Sequence, residues 1–190
     1  GLYKNMVREI SDFPVKGVLW YQGENDVHHS DMYDQLFSAL IFSWRRAWHT
    51  KLPFLFVQLA PFDRWMALDG KAFPEIRCMQ ERVSHTVPDC WMTCAMDVGM
   101  KYDIHPKEKR TIGHRLALLA LDKVYGLPHL SDAPEFSHGE RTAQGEITLR
   151  FSACGESLYQ SGNLAKLFRV HQKAEIKRAL SAEAHGNSVA

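Results

Sequence analysis

Between Tyr33 and Trp48 apolar residues recur every three or four positions: Tyr33, Leu36, Phe37, Leu40, Ile41, Trp44 and Trp48. That spacing gathers them on one wide stripe of an α-helix. Ser30 or Asp31 is placed to cap its start, and the helix should end near His49, with Pro53 close behind. Elsewhere the pattern shortens into unbroken apolar runs. Residues 16–21 (Lys-Gly-Val-Leu-Trp-Tyr), 54–60 (Phe-Leu-Phe-Val-Gln-Leu-Ala) and 91–96 (Trp-Met-Thr-Cys-Ala-Met) are such runs. Bounded by turn residues, they predict buried strands. A second helix is expected from about Pro74 to His85, since proline suits a first helical turn. A third should begin near Pro106, present Ile112, Leu116, Leu119, Ala120 and Val124 on one face, and stop at Gly126 and Pro128.

Strands alternating with helices predict a parallel sheet flanked by helices, a three-layer α/β/α domain with right-handed crossovers. Ligands in such sheets bind beyond the carboxyl ends of the strands. The polar clusters of this chain lie there: residues 22–26 after the first strand, Gln58 at the end of the second, and residues 97–105 after the third. From about His129 the texture changes. Residues 129–144 are rich in Ser, Gly, Asp, Glu and Pro and read as a linker. Residues 146–151 alternate as a strand, with a second strand expected around 166–170 and a weak helix over 174–184. The expected organisation is one domain over residues 1–128, then a linker and a small β-rich appendage over 129–190.

Composition narrows the function classes. Hydrophobic residues make up 45% and charged residues 24% of the 190, ordinary for a globular protein. Twenty-three basic residues face 22 acidic ones without a basic block, which argues against a nucleic-acid partner. No apolar run approaches the roughly 18 residues of a membrane span. Cys78, Cys90, Cys94 and Cys154 form no Cys-x-x-Cys pair, so a zinc knuckle is not expected, and their pairing is left open. His28, His29 and His49 show no helical His-x-x-x-His spacing and read as solvated rather than as metal ligands. The opening Gly1-Leu2-Tyr3 carries neither an initiator methionine nor a signal pattern, which suggests a processed or trimmed start and leaves the compartment open.

Two short motifs can carry chemistry. Asp103-Ile104-His105-Pro106 sets a carboxylate beside an imidazole just before a helix. An imidazole is the usual general base, and a carboxylate can fix its tautomer. The same residues also fit a plain helix-capping loop with a surface histidine. Gly23-Glu24-Asn25-Asp26 follows a strand directly. Glycine admits close backbone approach, and an asparagine amide can donate to a developing oxyanion, although Gly, Asn and Asp also favour ordinary turns. Among the tryptophans, Trp44, Trp48 and Trp91 read as core, and Trp20 and Trp65 as faces on which a sugar can stack. The charged run 107–110 reads as the wet first turn of the third helix.

Together the motifs resemble a known family. Gly-x-Asn-Asp is the third sequence block of SGNH hydrolases, and an Asp with a His before a helix is their fifth. The run 17–24 (Gly-Val-Leu-Trp-Tyr-Gln-Gly-Glu) is similar to the Trp-Tyr-Gln-Gly-Glu signature of sialate O-acetylesterase-like carbohydrate esterases. Trp44-Arg45, the strand segment 52–61, Arg77 with Gln80, and residues 103–107 follow in that family's order, so the resemblance covers roughly residues 1–128. It implies a serine esterase that removes acetyl groups from sugars without metal or cofactor. In that pattern His105 is the general base and Asp103 orients it. Asn25 or Gln22, with the Gly23 backbone, holds the oxyanion. Glu24, Gln58 and Arg77 shape the pocket.

Two departures follow. The family's Gly-Gln-Ser-Asn block, which carries the nucleophilic serine, has no counterpart in these residues, so the resemblance implies a chain that starts midway through the domain. An upstream chain carrying the serine is then an expected partner, beside the O-acetylated carbohydrate. Many SGNH enzymes place the aspartate three residues before the histidine, where this chain has Tyr102. A backbone carbonyl or Asp97 is therefore an alternative partner for His105. The rival reading is a non-catalytic or sugar-binding fragment, or one subunit of a cleaved enzyme. A missing first strand would expose a sheet edge and favour homo-oligomers.

Overall fold

The computed structural model describes residues 1–152, 155, 157–158, 163–166, 168–172, 175–179, 181–186 and 188–189. They form two compact units, Gly1–Ser131 and Asp132–Ala190.

The first unit is built on a parallel sheet of β1 (Val18–Trp20), β2 (Phe54–Val57) and β5 (Cys90–Thr93), in the order β1-β2-β5. Between β1 and β2 runs α1 (Tyr33–Ala47). A small hairpin, β3 (Arg64–Trp65) and β4 (Leu68–Asp69), precedes α2 (Phe73–Thr86), and α3 (Lys109–Leu119) follows β5. The side-chain alternation of β2 explains the layers. Phe54 and Phe56 join Phe37 and Ile41 of α1 and Ile76 and Val83 of α2 in one core. Leu55 and Val57 point the other way and join Ile112, Leu116 and Leu119 of α3. All four β2 residues are buried, as expected of a central strand covered on both faces. The fold is thus α/β, with helices on both sides of a parallel sheet.

Several local expectations change. The polar turn after β1 is a kinked 3₁₀ segment, Glu24–Met32, that feeds straight into α1. The helix therefore uses neither Ser30 nor Asp31 as a cap, and the Ser30 hydroxyl instead donates to Glu75. Leu36 is half exposed rather than core. Trp20 is no sugar platform: its ring stacks on Phe37 at 5.7 Å and meets Trp44 edge-on at 5.9 Å. The strands after α1 and α2 are shorter than their apolar runs, because Leu59, Ala60 and Ala95 are buried beyond the ladder. The third helix begins at Lys109 rather than Pro106, where the Glu108 carboxylate accepts from the Thr111 amide at 3.2 Å and caps it.

In the second unit, the segment read as a linker contains β6 (Glu135–Arg141). It pairs antiparallel with β7 (Ile147–Ser152). The expected second strand is present as β8 (Arg169–Gln172), paired with β9 (Glu175–Arg178). Among the described residues of 174–184 there is no helix: β9 takes Glu175–Arg178, and β10 (Ala184–His185) follows and pairs with β11 (Ser188–Val189). Cys78, Cys90 and Cys94 are free thiols, and Cys154 lies outside the described residues.

Candidate active site

Beyond the carboxyl end of the sheet, a cleft of about 400 Å³ gathers residues from three loops. Tyr21, Gln22, Glu24 and Asn25 form one wall. Trp65 and Leu68, from the β3–β4 hairpin, form another. Ile104, His105, Pro106 and Lys109 complete it.

The first wall owes its shape to Gly23. This residue is buried at φ +145°, and a Cβ there would lie 2.8 Å from the Tyr33 hydroxyl oxygen, so only glycine makes this turn without strain. The turn is pinned by the Asp26 amide, which donates to the Gly23 carbonyl at 3.0 Å. Gln22 donates its side-chain amide to the Asp26 carboxylate at 3.0 Å. Asn25 makes no side-chain hydrogen bond among the described residues and faces the cleft with its amide free.

His105 lines the same cleft. Its Nδ1 lies 3.3 Å from Asp103 Oδ1, and the same oxygen accepts the His105 backbone amide at 2.9 Å. A carboxylate behind Nδ1 favours the tautomer with the proton there, leaving Nε2 as a base. The backbone amide of His105, then its ring, hold the Asp103 carboxyl below its ordinary range. Asp103 therefore remains an acceptor in mild acid. The Trp65 indole meets the imidazole edge-on at 5.1 Å and limits its swing. Asp97 is engaged elsewhere: Arg115 donates to both its oxygens at 2.7 Å and to the Cys94 carbonyl at 2.8 Å.

Gln58 and Arg77 do not line this cleft. The Gln58 amide turns toward the Arg77 carbonyl at 3.4 Å, and burial holds the half-buried guanidinium of Arg77 below its ordinary value. Conversely, Lys109 is more than a wet helix start. Its ammonium sits 4.7 Å from the centroid of the Tyr21 ring, a cation–π distance. Burial, then the nearby Glu24 carboxylate, pushes the Tyr21 hydroxyl up to about 12, so it stays protonated. Tyr21 lies in the Trp-Tyr-Gln-Gly-Glu run, but its pairing with Lys109 spans 88 residues and follows no motif.

A parallel α/β unit thus brings an imidazole and an amide to one cleft. The family model described as carbohydrate esterase, sialic acid-specific acetylesterase matches residues 1–122, and the chain belongs to that family. Sialate O-acetylesterase of Rattus norvegicus is 34% identical, with 68% of this chain aligned. The Homo sapiens protein of the same name is 32% identical over the same share. A crystal structure of a novel carbohydrate acetylesterase from Xanthomonas citri superposes with a TM-score of 0.80 at 32% identity, covering 99% of this chain and 44% of that one. The chain spans only 27% and 28% of the rat and human relatives' lengths.

Proposed function

We propose that this cleft is the base-and-oxyanion side of an esterase site that removes acetyl groups from carbohydrates. The observation that carries the reading is that His105, backed by Asp103, and Asn25, whose side chain has no hydrogen-bond partner among the described residues, line one cleft. The serine comes from outside these 190 residues. His105 Nε2 takes its proton as the hydroxyl oxygen attacks the acetyl carbonyl. Asn25, with the Gly23 backbone, holds the negative oxygen that forms. Collapse breaks the ester bond, and the sugar oxygen leaves with the proton from His105. Water, deprotonated by the same base, then attacks the acetyl-serine, releasing acetate and restoring the hydroxyl.

Gln22 serves this scheme by holding the turn, since its amide is bound to Asp26. Glu24, Trp65 and Lys109 face the space left for the sugar. The outer edge of β1 has no neighbouring strand among the described residues, and Leu19 in its centre is 64% exposed, which suits docking of an upstream segment.

Acetate release from an aryl acetate and an O-acetylated sugar tests the reading. The samples are this chain, a chain extended upstream through the family's serine block, and the extended chain carrying His105→Ala. Activity is expected only in the extended chain, with a loss of about 10⁴-fold on substitution. Retained activity in His105→Ala overturns the role of His105. An inert extended chain that still binds the sugar makes the cleft a binding site instead.

A further inference from the structure

A buried polar chain runs through the otherwise apolar core on the α1–α2 side and ends at the cleft wall. Gln80 on α2 is fully buried. Its Oε1 accepts the Leu59 amide at 2.9 Å, and its Nε2 donates to the Val57 carbonyl and the Tyr33 hydroxyl, both at 3.4 Å. Tyr33, 3% exposed, donates its own proton to the Gln22 carbonyl at 3.1 Å. Gly23 closes over that hydroxyl without room for a Cβ. The end of β2 is thereby tied to the turn bearing Gln22, Glu24 and Asn25.

Packing alone does not call for these polar atoms. Phenylalanine would fill the ring space of Tyr33, and methionine nearly that of Gln80, although methionine would leave the Leu59 amide without its acceptor. The hydroxyl gives the Gln22 carbonyl a donor at a fixed point relative to the sheet. Burial, offset by Gln80 and reinforced by Asp26, pushes that hydroxyl up to about 12, so it donates throughout the neutral range.

We propose that Tyr33 and Gln80 are positioning residues for the oxyanion side of the cleft. Gln80 reads the register of β2's end, and Tyr33 passes it to the 22–25 turn, setting where Asn25 stands opposite His105. The inference rests on the esterase reading above, and its test has one arm that needs no catalysis.

In that arm, amide hydrogen exchange is followed in the 190-residue chain and in Tyr33→Phe. The Asp26 amide, bonded to the Gly23 carbonyl, reports the turn, and the Val57 amide in β2 is the reference. Asp26 is expected to exchange about tenfold faster in the variant, the effect of one neutral hydrogen bond, while Val57 changes less than about twofold. In the second arm, the upstream-extended chain carries Tyr33→Phe, Asn25→Ala or both. Tyr33→Phe should lower kcat about tenfold with KM nearly unchanged, and Asn25→Ala about a hundredfold. The double variant should be no slower than Asn25→Ala alone, because misplacing an absent amide costs nothing further. Unchanged Asp26 exchange, or multiplicative losses in the double variant, overturns the inference. A harmless Asn25→Ala defeats the oxyanion reading instead, and the exchange arm still decides whether Tyr33 sets the turn. Gln80→Met, nearly volume-conserving, must reproduce the faster Asp26 exchange if the chain works as described, including where Tyr33→Phe folds poorly.

Discussion

The parallel sheet is finished differently at its two ends. At the amino ends of β2 and β5, Arg45 donates to the carbonyls of Leu52, Pro88 and Asp89 at 2.7 to 3.0 Å, closing that edge with one charged side chain. At the carboxyl ends a neutral pair, Tyr33 and Gln80, plays the comparable part from beneath. Among the described residues, groups above it have no hydrogen-bond partner: the Asn25 side-chain amide lines the cleft, and the Tyr21 hydroxyl on the same wall is buried. An unpaired polar group is costly in a finished structure and useful in an unfinished one. The amino end is closed by a charged side chain, while the carboxyl end keeps polar groups open at the cleft proposed as the site.

Substitutions can break this contrast in graded steps. Gly23→Ala should have the largest effect. It forces a side chain into the Tyr33 hydroxyl at a backbone angle reserved for glycine, costing roughly 3 kcal/mol in urea unfolding and removing sugar binding at the cleft. Arg45→Ala should cost about 2 kcal/mol by the same measurement, since three carbonyls lose a charged donor, yet leave sugar binding intact. Equal damage to binding would mean that the two ends are not independent. Asp97→Asn should cost less than about 1 kcal/mol, because its pair with Arg115 is well exposed. Arg115 holds the Asp97 carboxyl below its ordinary range. The pair's contribution is therefore complete above that range and fades as pH falls through the lowered value. The difference in Tm between wild type and Asp97→Asn should persist at neutral pH and vanish in acid.

The layers of the first unit were legible because β2 and α1 carry their burial in local patterns: an unbroken run covered on both faces, and a stripe at helical spacing. The β3–β4 hairpin escaped notice because two-residue strands have no period to detect. The second unit was misread for a related reason. β6 is exposed along its whole length, so no apolar alternation distinguishes Glu135–Arg141 from a linker. At the cleft, the neighbours Asp103 and His105 and the turn 22–26 form short motifs visible in one dimension. Lys109 beside Tyr21, and Gln80 bonded to Tyr33 47 positions away, meet only through folding. Trp20 was misplaced because an aromatic at a strand end suits a core and a rim equally until its neighbours are known.

The roots of the hairpin that carries Trp65 are tied by main-chain hydrogen bonds. The amides of Asp63 and Arg64 both donate to the Lys101 carbonyl, and the Gly70 amide donates to the Asp63 carbonyl. Gly70 and Gly99 let backbones touch where any Cβ would strike the carbonyls of Phe62 and Pro61. Met66 and Ala67 at the tip are exposed. Anchorage and contact surface are thereby uncoupled. New side chains can be written into the tip while its roots stay fixed beside the loop that carries His105. Under the proposed function, such a scaffold would change which sugars fit by small substitutions at the rim, with His105 left where it stands.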